Sequence, residues 1–531
     1  MQPCDFQALL TSGVLAAQSE RLLEASELFR RAISVDASSP VVHNNLGIVL
    51  TELKRYAEAL ASFDRALSLS PESAEAHCNR GVVLARLCRW DEALSAQERA
   101  MALRPEFAAA HANRAAVLSE LGRVEEALQS YEHALVLQPD FVKAHVNRSE
   151  LLRVGGRCQE ALLSAERALQ LAPRMAEALV ARGAALHELQ RPEEALASYE
   201  RALLEAPANA TALSHLAAVL VDLQRPAEAL ARCEHALELQ PDLTEALVHR
   251  GMALRDLQRF EEALECSDAA IARNPRLASA HNNRGVVLQQ LQRYEEALTS
   301  FDNSVALDPD DVEARFNKSL CLLLLGRLAS AWPLYESRKR RRPPIAHRIL
   351  PQPLWDGTAS LKGHSLLLHC EQGLGDTIQF CRYTRLAEER GARVVLSTPA
   401  PLQRLLHTLG SSIEIVAEGA EPDTDWHAPL LSLPAAFETT LHSIPARVPY
   451  LAAEPDRVAE WRRRIGSEGF RIGIAWQGRV CKADIGRSFP VRHLRHLATL
   501  ARVRLISPAE GARHAAAAGL TPGHGRGNSR R

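Results

Sequence analysis

A glycine-containing loop in the C-terminal third of the sequence carries residue types that can bind an anionic group. Residues 371–377 read Glu-Gln-Gly-Leu-Gly-Asp-Thr and lie between an apolar, strand-like run at 366–369 and a helical stretch at 378–390. Glycines let a ligand approach the backbone, and the free N–H groups of a first helical turn favour negative charge. The loop therefore predicts a ligand site, although Asp376 also fits a simple helix N-cap.

Asparagines form a second candidate site, because they recur at multiples of one fixed interval. They are Asn45, Asn79, Asn113, Asn147, Asn283 and Asn317. A side-chain amide both donates and accepts hydrogen bonds, so a ladder of amides can clamp the main chain of a peptide whatever its sequence. The same side chains can instead bridge neighbouring repeats, and the sequence leaves both interpretations open. Ala181, His215 and His249 interrupt the ladder, which predicts weaker or different clamping there.

The elements that position these asparagines belong to a 34-residue repeat. Prolines mark its period at 71, 105, 139, 173, 207, 241, 275, 309 and 343, and ten units begin at residues 6, 40, 74 and onward to 312. The twentieth position of every unit is alanine, and the eighth is always glycine, alanine or serine. Apolar residues at helical spacing lie between these small ones, so each unit predicts two amphipathic helices, the second ending at the proline.

This pattern resembles the tetratricopeptide-repeat family over residues 6–345. A single hairpin cannot bury its own apolar face, so neighbouring units must stack into an all-α superhelix with an extended concave surface. The resemblance implies that the first helices line this surface and that a protein or peptide binds there. Histidines recur at the fourth position, where a whole repeat separates them, and we interpret them as repeat-register residues rather than metal ligands. They are His43, His77, His111, His145 and His281.

A different kind of domain begins near residue 346. Short apolar runs at 366–369, 394–397, 413–417, 472–476 and 503–507 alternate with helical segments, which predicts a mainly parallel α/β sheet. The stretches Leu-Trp-Asp-Gly at 354–357, Glu-Gln-Gly-Leu-Gly-Asp-Thr-Ile-Gln-Phe at 371–380 and Arg-Ser-Phe-Pro at 487–490 accompany these runs. Together they resemble the glycosyltransferase domain that follows tetratricopeptide repeats in many bacterial proteins, a domain similar to heptosyltransferases and, more remotely, to protein O-linked N-acetylglucosamine transferases.

The resemblance implies two Rossmann-like halves, with the acceptor side at residues 346–470 and a fragment of the nucleotide-sugar side at 471–508. By the same resemblance Asp376 is the general base for the acceptor hydroxyl, and Arg487 contacts the donor phosphates. The acceptor loop would comprise Gln372, Gly373, Gly375 and Thr377. Trp476, Gln477 and Gly478 either face the nucleotide sugar or only pack at the end of the sheet. No metal or other cofactor is implied.

The predicted donor half is short, since starting at residue 471 leaves 531 − 470 = 61 residues. We expect a truncation or reading-frame change near residue 508, followed by a disordered tail at 509–531. Two functions therefore remain open: transfer of a sugar to an acceptor hydroxyl, or a non-catalytic interaction scaffold.

The composition bears on the class of partner and on the location of the protein. A formal net charge of −1 disfavours nucleic acid. Ten scattered cysteines favour a reducing, cytoplasmic location, and the apolar runs are too short to span a membrane.

Overall fold

The computed structural model describes residues 3–341, 350–466, 468–473, 494–500 and 503–506. The chain divides into two compact units, one ending at Cys321 and the other beginning at Leu322. The predicted end of the repeats at residue 345 therefore falls within the second unit. No helix in the described ranges has both the length and the apolarity needed to cross a bilayer.

The first unit is all-helical, and two helices correspond to each predicted repeat. They are α1 Pro3–Gln18, α2 Leu22–Val35, α3 Pro40–Glu52, α4 Tyr56–Leu69, α5 Ala74–Arg86, α6 Trp90–Leu103, α7 Ala108–Glu120, α8 Val124–Leu137, α9 Val142–Val154, α10 Cys158–Leu171, α11 Ala176–Glu188, α12 Pro192–Glu205, α13 Ala210–Asp222, α14 Pro226–Leu239, α15 Thr244–Asp256, α16 Phe260–Arg273, α17 Ala278–Gln290, α18 Tyr294–Leu307 and α19 Val312–Leu324, which crosses the boundary.

The turn between the two helices of each repeat has the same backbone geometry throughout. Its fifteenth position has a positive φ in all ten repeats, from 57° at Cys88 to 75° at Gly156. Glycine occupies this left-handed position in only three repeats, at Gly122, Gly156 and Gly326. The remaining repeats keep the conformation with a side chain present, which carries a steric cost.

Small residues at the eighth position allow the two helices of a repeat to approach closely. A Cβ on Gly13, Gly47 or Gly285 would lie 2.6 Å from the ring of the phenylalanine sixteen residues later. These rings, on Phe29, Phe63 and Phe301, are at most 1% exposed. The pairing with a large buried ring explains why the eighth position is glycine in these three repeats.

The second unit contains the α/β elements. Its helices are α20 Leu328–Tyr335, α21 Leu374–Phe380, α22 Thr384–Glu389, α23 Ala400–Leu406, α24 Leu433–Ala436, α25 Pro455–Ile465 and α26 Arg495–Ala498, with short 3₁₀ segments at Glu336–Arg340, Cys381–Tyr383, His407–Leu409 and Leu430–Ser432. Its strands are β1 Ser365–His369, β2 Arg393–Thr398, β3 Glu414–Ala417, β4 Trp426–Pro429, β5 Phe470–Gly473 and β6 Val503–Ile506.

Four strands form a parallel sheet in the order β3-β2-β1-β4, and β5 pairs in parallel with β6. Leu367 at the centre of β1 aligns with Val395 on one side and with His427 on the other. The three leucines of β1 are completely buried, as expected for a strand covered on both faces. The first three strands lie within two residues of their predicted bounds, whereas β4 was not predicted.

The predicted helix at 378–390 differs from the structure. It begins at Leu374, four residues earlier, and a 3₁₀ segment interrupts it at Cys381–Tyr383. The early start places Gly375, Asp376 and Thr377 in the first helical turn rather than in a loop. The cause is local, because the Asp376 carboxylate accepts a hydrogen bond from the Gly373 backbone N–H at 3.2 Å and so stabilises this turn.

Candidate binding surface on the first helices

The first helices of successive repeats form one continuous surface. Each packs against the first helix of the next repeat, as α9 does with α11 and α13 with α15, while second helices in the described chain make no comparable contact with one another. A stack in which only one row of helices touches must bend toward that row. The first helices therefore lie on the inner, concave side, and we call their exposed face the first-helix surface.

Several of the predicted asparagines bridge adjacent repeats. Asn79 donates to the Asn44 side-chain oxygen at 3.1 Å, and Asn317 donates to that of Asn282 at 3.0 Å. Asn113 reaches the Cys78 sulfur at 3.2 Å. Each contact joins a residue to another 35 positions earlier, on the preceding first helix. This is the bridging arrangement that the sequence left open.

Two other asparagines keep their amides available. Asn45 and Asn283 are half-buried on the first-helix surface, and neither has a side-chain hydrogen bond within the described ranges. Asn147 is exposed and hydrogen-bonds Tyr131. The six asparagines thus divide into four whose amides bridge adjacent repeats and two whose amides can pair with a ligand. A clamping role for the whole ladder remains a prediction.

The interruption of the ladder brings two imidazoles onto the same surface. His249 Nδ1 lies 2.9 Å from the Ser214 hydroxyl, again 35 positions earlier. The His215 ring meets the edge of Tyr199 with 5.8 Å between ring centroids. Close packing lowers the pKa of His215, and it lowers the pKa of His249 to about 4, with the neighbouring His215 acting in the same direction. Both rings are therefore neutral at pH 7.

Ion pairs lie on the same row of first helices. Arg153 binds Glu150 at 2.6 Å and Glu188 on the next first helix at 3.4 Å. His187 Nε2 lies 2.7 Å from a carboxylate oxygen of Asp222, on the first helix after that. Burial acts to raise the pKa of Glu150, but the hydrogen bond and charge of Arg153 outweigh it and hold that pKa below its ordinary value. We call Glu150, Arg153, His187, Glu188, His215, Asp222 and His249 the mid-surface cluster.

The histidines at the fourth position hold the turns between repeats. In each case Nε2 lies 2.9–3.2 Å from a backbone carbonyl oxygen six residues earlier. For His77 that carbonyl belongs to Pro71, and for His281 it belongs to Pro275. The contact ties the proline turn to the first helix of the following repeat. These residues therefore set the repeat register, as the sequence indicated.

The residues predicted for sugar transfer are only partly within the described structure. Asp376 is half-buried at the start of α21, and Gln372, Gly373 and Gly375 are exposed beside it. Thr377 is 2% exposed and donates to the Gly373 carbonyl oxygen at 3.3 Å. Trp476, Gln477, Gly478 and Arg487 lie outside the described residues.

A buried ion pair that the sequence analysis did not identify adjoins this segment. The Arg338 side chain is 0% exposed and contacts Glu371, itself 3% exposed, at 2.7 Å. The same nitrogen, Nη2, also donates to the Ser432 hydroxyl at 2.7 Å, and Nη1 contacts Glu336. Burial raises the pKa of Glu371 despite the charge of Arg338. Arg338 is the first residue of a basic run at 338–342, and a charged run of this kind gives no sign that its first side chain is buried.

Two arginine series in the repeats were also missed. The sixteenth position is arginine in all ten repeats, and nine of these bind a glutamate three residues later, as Arg259 binds Glu262. The seventh position carries arginine in six repeats. Arg284, for example, links Asp268 of the preceding repeat at 2.6 Å with Ser300 of its own at 2.7 Å. Both series could have been found from the sequence, because their arginines recur at the 34-residue period.

Comparison with known proteins identifies the helical repeats. Six family models, each described as a tetratricopeptide repeat, match residues 38–106, 108–141, 146–210, 186–254, 244–277 and 278–311. Among curated proteins, the chain is 28% identical to Protein FlbA of Caulobacter vibrioides over 192 residues, which is 32% of each chain. The chain thus spans about a third of the length of this relative.

Three solved structures show similarity to parts of the chain. The APC/C hetero-tetramer Cut9-Hcn1 is 15% identical, with a TM-score of 0.45, over 57% of this chain and 62% of that one. Yeast Tom70 is 15% identical, with a TM-score of 0.35, over 64% and 92%. YrrB, described as a TPR protein with an unusual peptide-binding site, is 28% identical over 35% and 95%, with a TM-score of 0.26. The assignment of the repeats rests on the family models.

Proposed function

We propose that this chain, whose residues 38–311 are tetratricopeptide repeats, is an interaction scaffold that holds an extended segment of a partner protein on its first-helix surface. The observation that carries this proposal is the continuous stack of first helices, with amides and charged groups at equivalent positions along it. Their repetition suits a ligand whose own groups repeat at a fixed interval. An extended polypeptide is such a ligand.

The spacing of the helices agrees with this occupant. Packed helices lie about 8–10 Å apart, and an extended chain advances about 3.3 Å per residue. Each repeat would therefore meet about every third residue of the partner segment. We expect the amides of Asn45 and Asn283, which have no side-chain hydrogen bond in the described structure, to pair with its main chain.

The test begins with a peptide selected from a random display library on the intact chain. Its dissociation constant is measured by fluorescence anisotropy for the wild type and for Asn45→Ala and Asn283→Ala. At least one variant should bind about 5–10-fold more weakly, because a lost amide hydrogen bond is worth about 1 kcal/mol.

A matched control is available in the same repeat as Asn283. Asn303 is exposed on the second helix α18, so Asn303→Ala removes the same group from the other side of the stack. This variant should keep wild-type affinity. Equal weakening by Asn303→Ala, or none by either surface variant, would contradict the proposal.

Sugar transfer is a second candidate function for the second unit, supported by one observation. Asp376 follows β1 at the carboxyl end of a parallel sheet, the edge at which open α/β folds bind ligands. The experiment is nucleotide-sugar turnover by the intact chain and by Asp376→Ala. Turnover that requires Asp376 would support this candidate, and absence of donor binding would remove it.

The cytoplasmic location remains a prediction from the cysteines.

A further inference from the structure

The mid-surface cluster is rich in carboxylates. Glu150, Glu188 and Asp222 contribute three carboxylates; the Arg153 guanidinium contacts the first two, and His187 contacts Asp222. Glu245, exposed on α15, acts electrostatically on His215 and adds a fourth carboxylate nearby. The imidazoles of His215 and His249 do not offset this excess of negative charge, since both are held neutral at pH 7.

The carboxylates at the centre of the cluster are accessible. The Glu188 side chain is 49% exposed and that of Asp222 is 51% exposed. They occupy equivalent positions on successive first helices, α11 and α13, so they face the same surface one repeat apart. Their present partners, Arg153 at 3.4 Å and His187, leave other lone pairs of each carboxylate open to water.

Flat rings lie on the same row of first helices, with His215 seven residues before Asp222 on α13. His215 and His249 are half-buried, one braced against Tyr199 and the other held by Ser214. Their positions are fixed by these contacts rather than by solvent. A planar cation can form two parallel hydrogen bonds with an accessible carboxylate such as that of Glu188 or Asp222. A guanidinium fits this arrangement better than an ammonium, which lacks the planar fork.

We propose that the mid-surface cluster is the specificity site of the scaffold and takes arginine side chains of the bound segment at Glu188 and Asp222. Because the two carboxylates are one repeat apart, the preferred segment carries arginines three residues apart. This inference rests on the proposed binding function and adds the chemistry of the partner.

The test uses three fluorescein-labelled dodecapeptides of glycine and serine that carry arginine, citrulline or lysine at every third position. Citrulline keeps the size and planarity of arginine without its charge. Anisotropy at low and at physiological salt should show the arginine peptide binding at least fivefold more tightly than the citrulline peptide, with the lysine peptide between them. The double variant Glu188→Gln/Asp222→Asn should remove this preference.

A charge-matched control separates the site from general electrostatics. Glu200 and Glu234 are exposed on the second helices α12 and α14 of the same two repeats. The variant Glu200→Gln/Glu234→Gln changes net charge equally and should retain the arginine preference. Circular dichroism checks that both double variants keep their helix content.

Three results would overturn the inference: equal affinity for the arginine and citrulline peptides, equal loss in both double variants, or no binding of any of the peptides. The proposed function is judged separately, by the library-selected peptide and the variants of Asn45 and Asn283. A library-selected peptide that binds through those amides but contains no arginine would leave the scaffold function in place and contradict only the arginine site.

Discussion

Replacing Gly285 by alanine should destabilise the repeat stack, whereas the same change at Gly251 should not. At Gly285 the new Cβ would lie 2.6, 2.7 and 2.9 Å from three ring carbons of Phe301, whose side chain is completely buried and has little room to withdraw. At Gly251 the nearest heavy atom would be 3.4 Å away, because Ser267 stands where other repeats have a ring. Both glycines occupy the eighth position of their repeats.

The expected magnitudes follow from two opposing effects. Alanine in a helix interior gains about 1 kcal/mol over glycine, and overpacking a core costs about 1–3 kcal/mol. Because three contacts fall below 3.0 Å at Gly285, overpacking should prevail there by about 1–2 kcal/mol. The repeat that pairs Ala115 with Tyr131 indicates that the packing can adjust, so a larger loss is not expected. Gly251→Ala should stabilise by about 0.5–1 kcal/mol.

Urea unfolding followed by circular dichroism gives the global comparison. Hydrogen exchange gives the local one, because repeat arrays need not unfold in a single step. Exchange should accelerate in α17 and α18 of Gly285→Ala and slow slightly in α15 of Gly251→Ala. Equal midpoints and equal exchange in the two variants would refute the close-packing argument.

Three further outcomes are expected. The pKa of His249 falls from 6.5 to about 4 on folding. The free energy of unfolding should therefore decrease by about 1–3 kcal/mol as the pH falls through that window. When unfolding is measured at a series of acidic pH values, His249→Gln should show a shallower decline than the wild type. Arg338→Met should lower the free energy of unfolding by about 3–5 kcal/mol, because it leaves the buried Glu371 without its cation. Calorimetry should show that adding Glu371→Gln recovers part of this loss. No recovery would contradict the pairing. Gln258→Gly should raise the melting temperature, because Gln258 has a φ of 61° and glycine relieves about 0.5–1 kcal/mol of strain; an unchanged or lower melting temperature would contradict this.

The sequence predicts the helical repeats well because every repeat has the same small and apolar positions. The alanines at the twentieth position and the small residues at the eighth recur in every unit, so period and helix bounds follow from simple spacing. The second unit has no such repetition. β4 was missed because its four residues, Trp-His-Ala-Pro, have neither an apolar run nor an alternating pattern. Its place beside β1 depends on tertiary pairing.

The binding surface was only partly predictable. The spacing of the asparagines located the surface, but it did not show that Asn79 and Asn317 use their amides to bridge repeats while Asn45 and Asn283 do not. That distinction depends on whether the residue 35 positions earlier can accept a hydrogen bond. The mid-surface cluster depends in the same way on pairs such as His187 and Asp222, which meet across a repeat boundary.

The location of the bound segment tests the central claim most directly. A library-selected peptide carrying a benzophenone group is photo-crosslinked to the intact chain, and the adducts are mapped by mass spectrometry. Adducts should fall on first-helix residues that line the surface, such as Asn283 and Val286 of α17. Adducts concentrated on the second helices, for example at Asn303 of α18, would contradict the account.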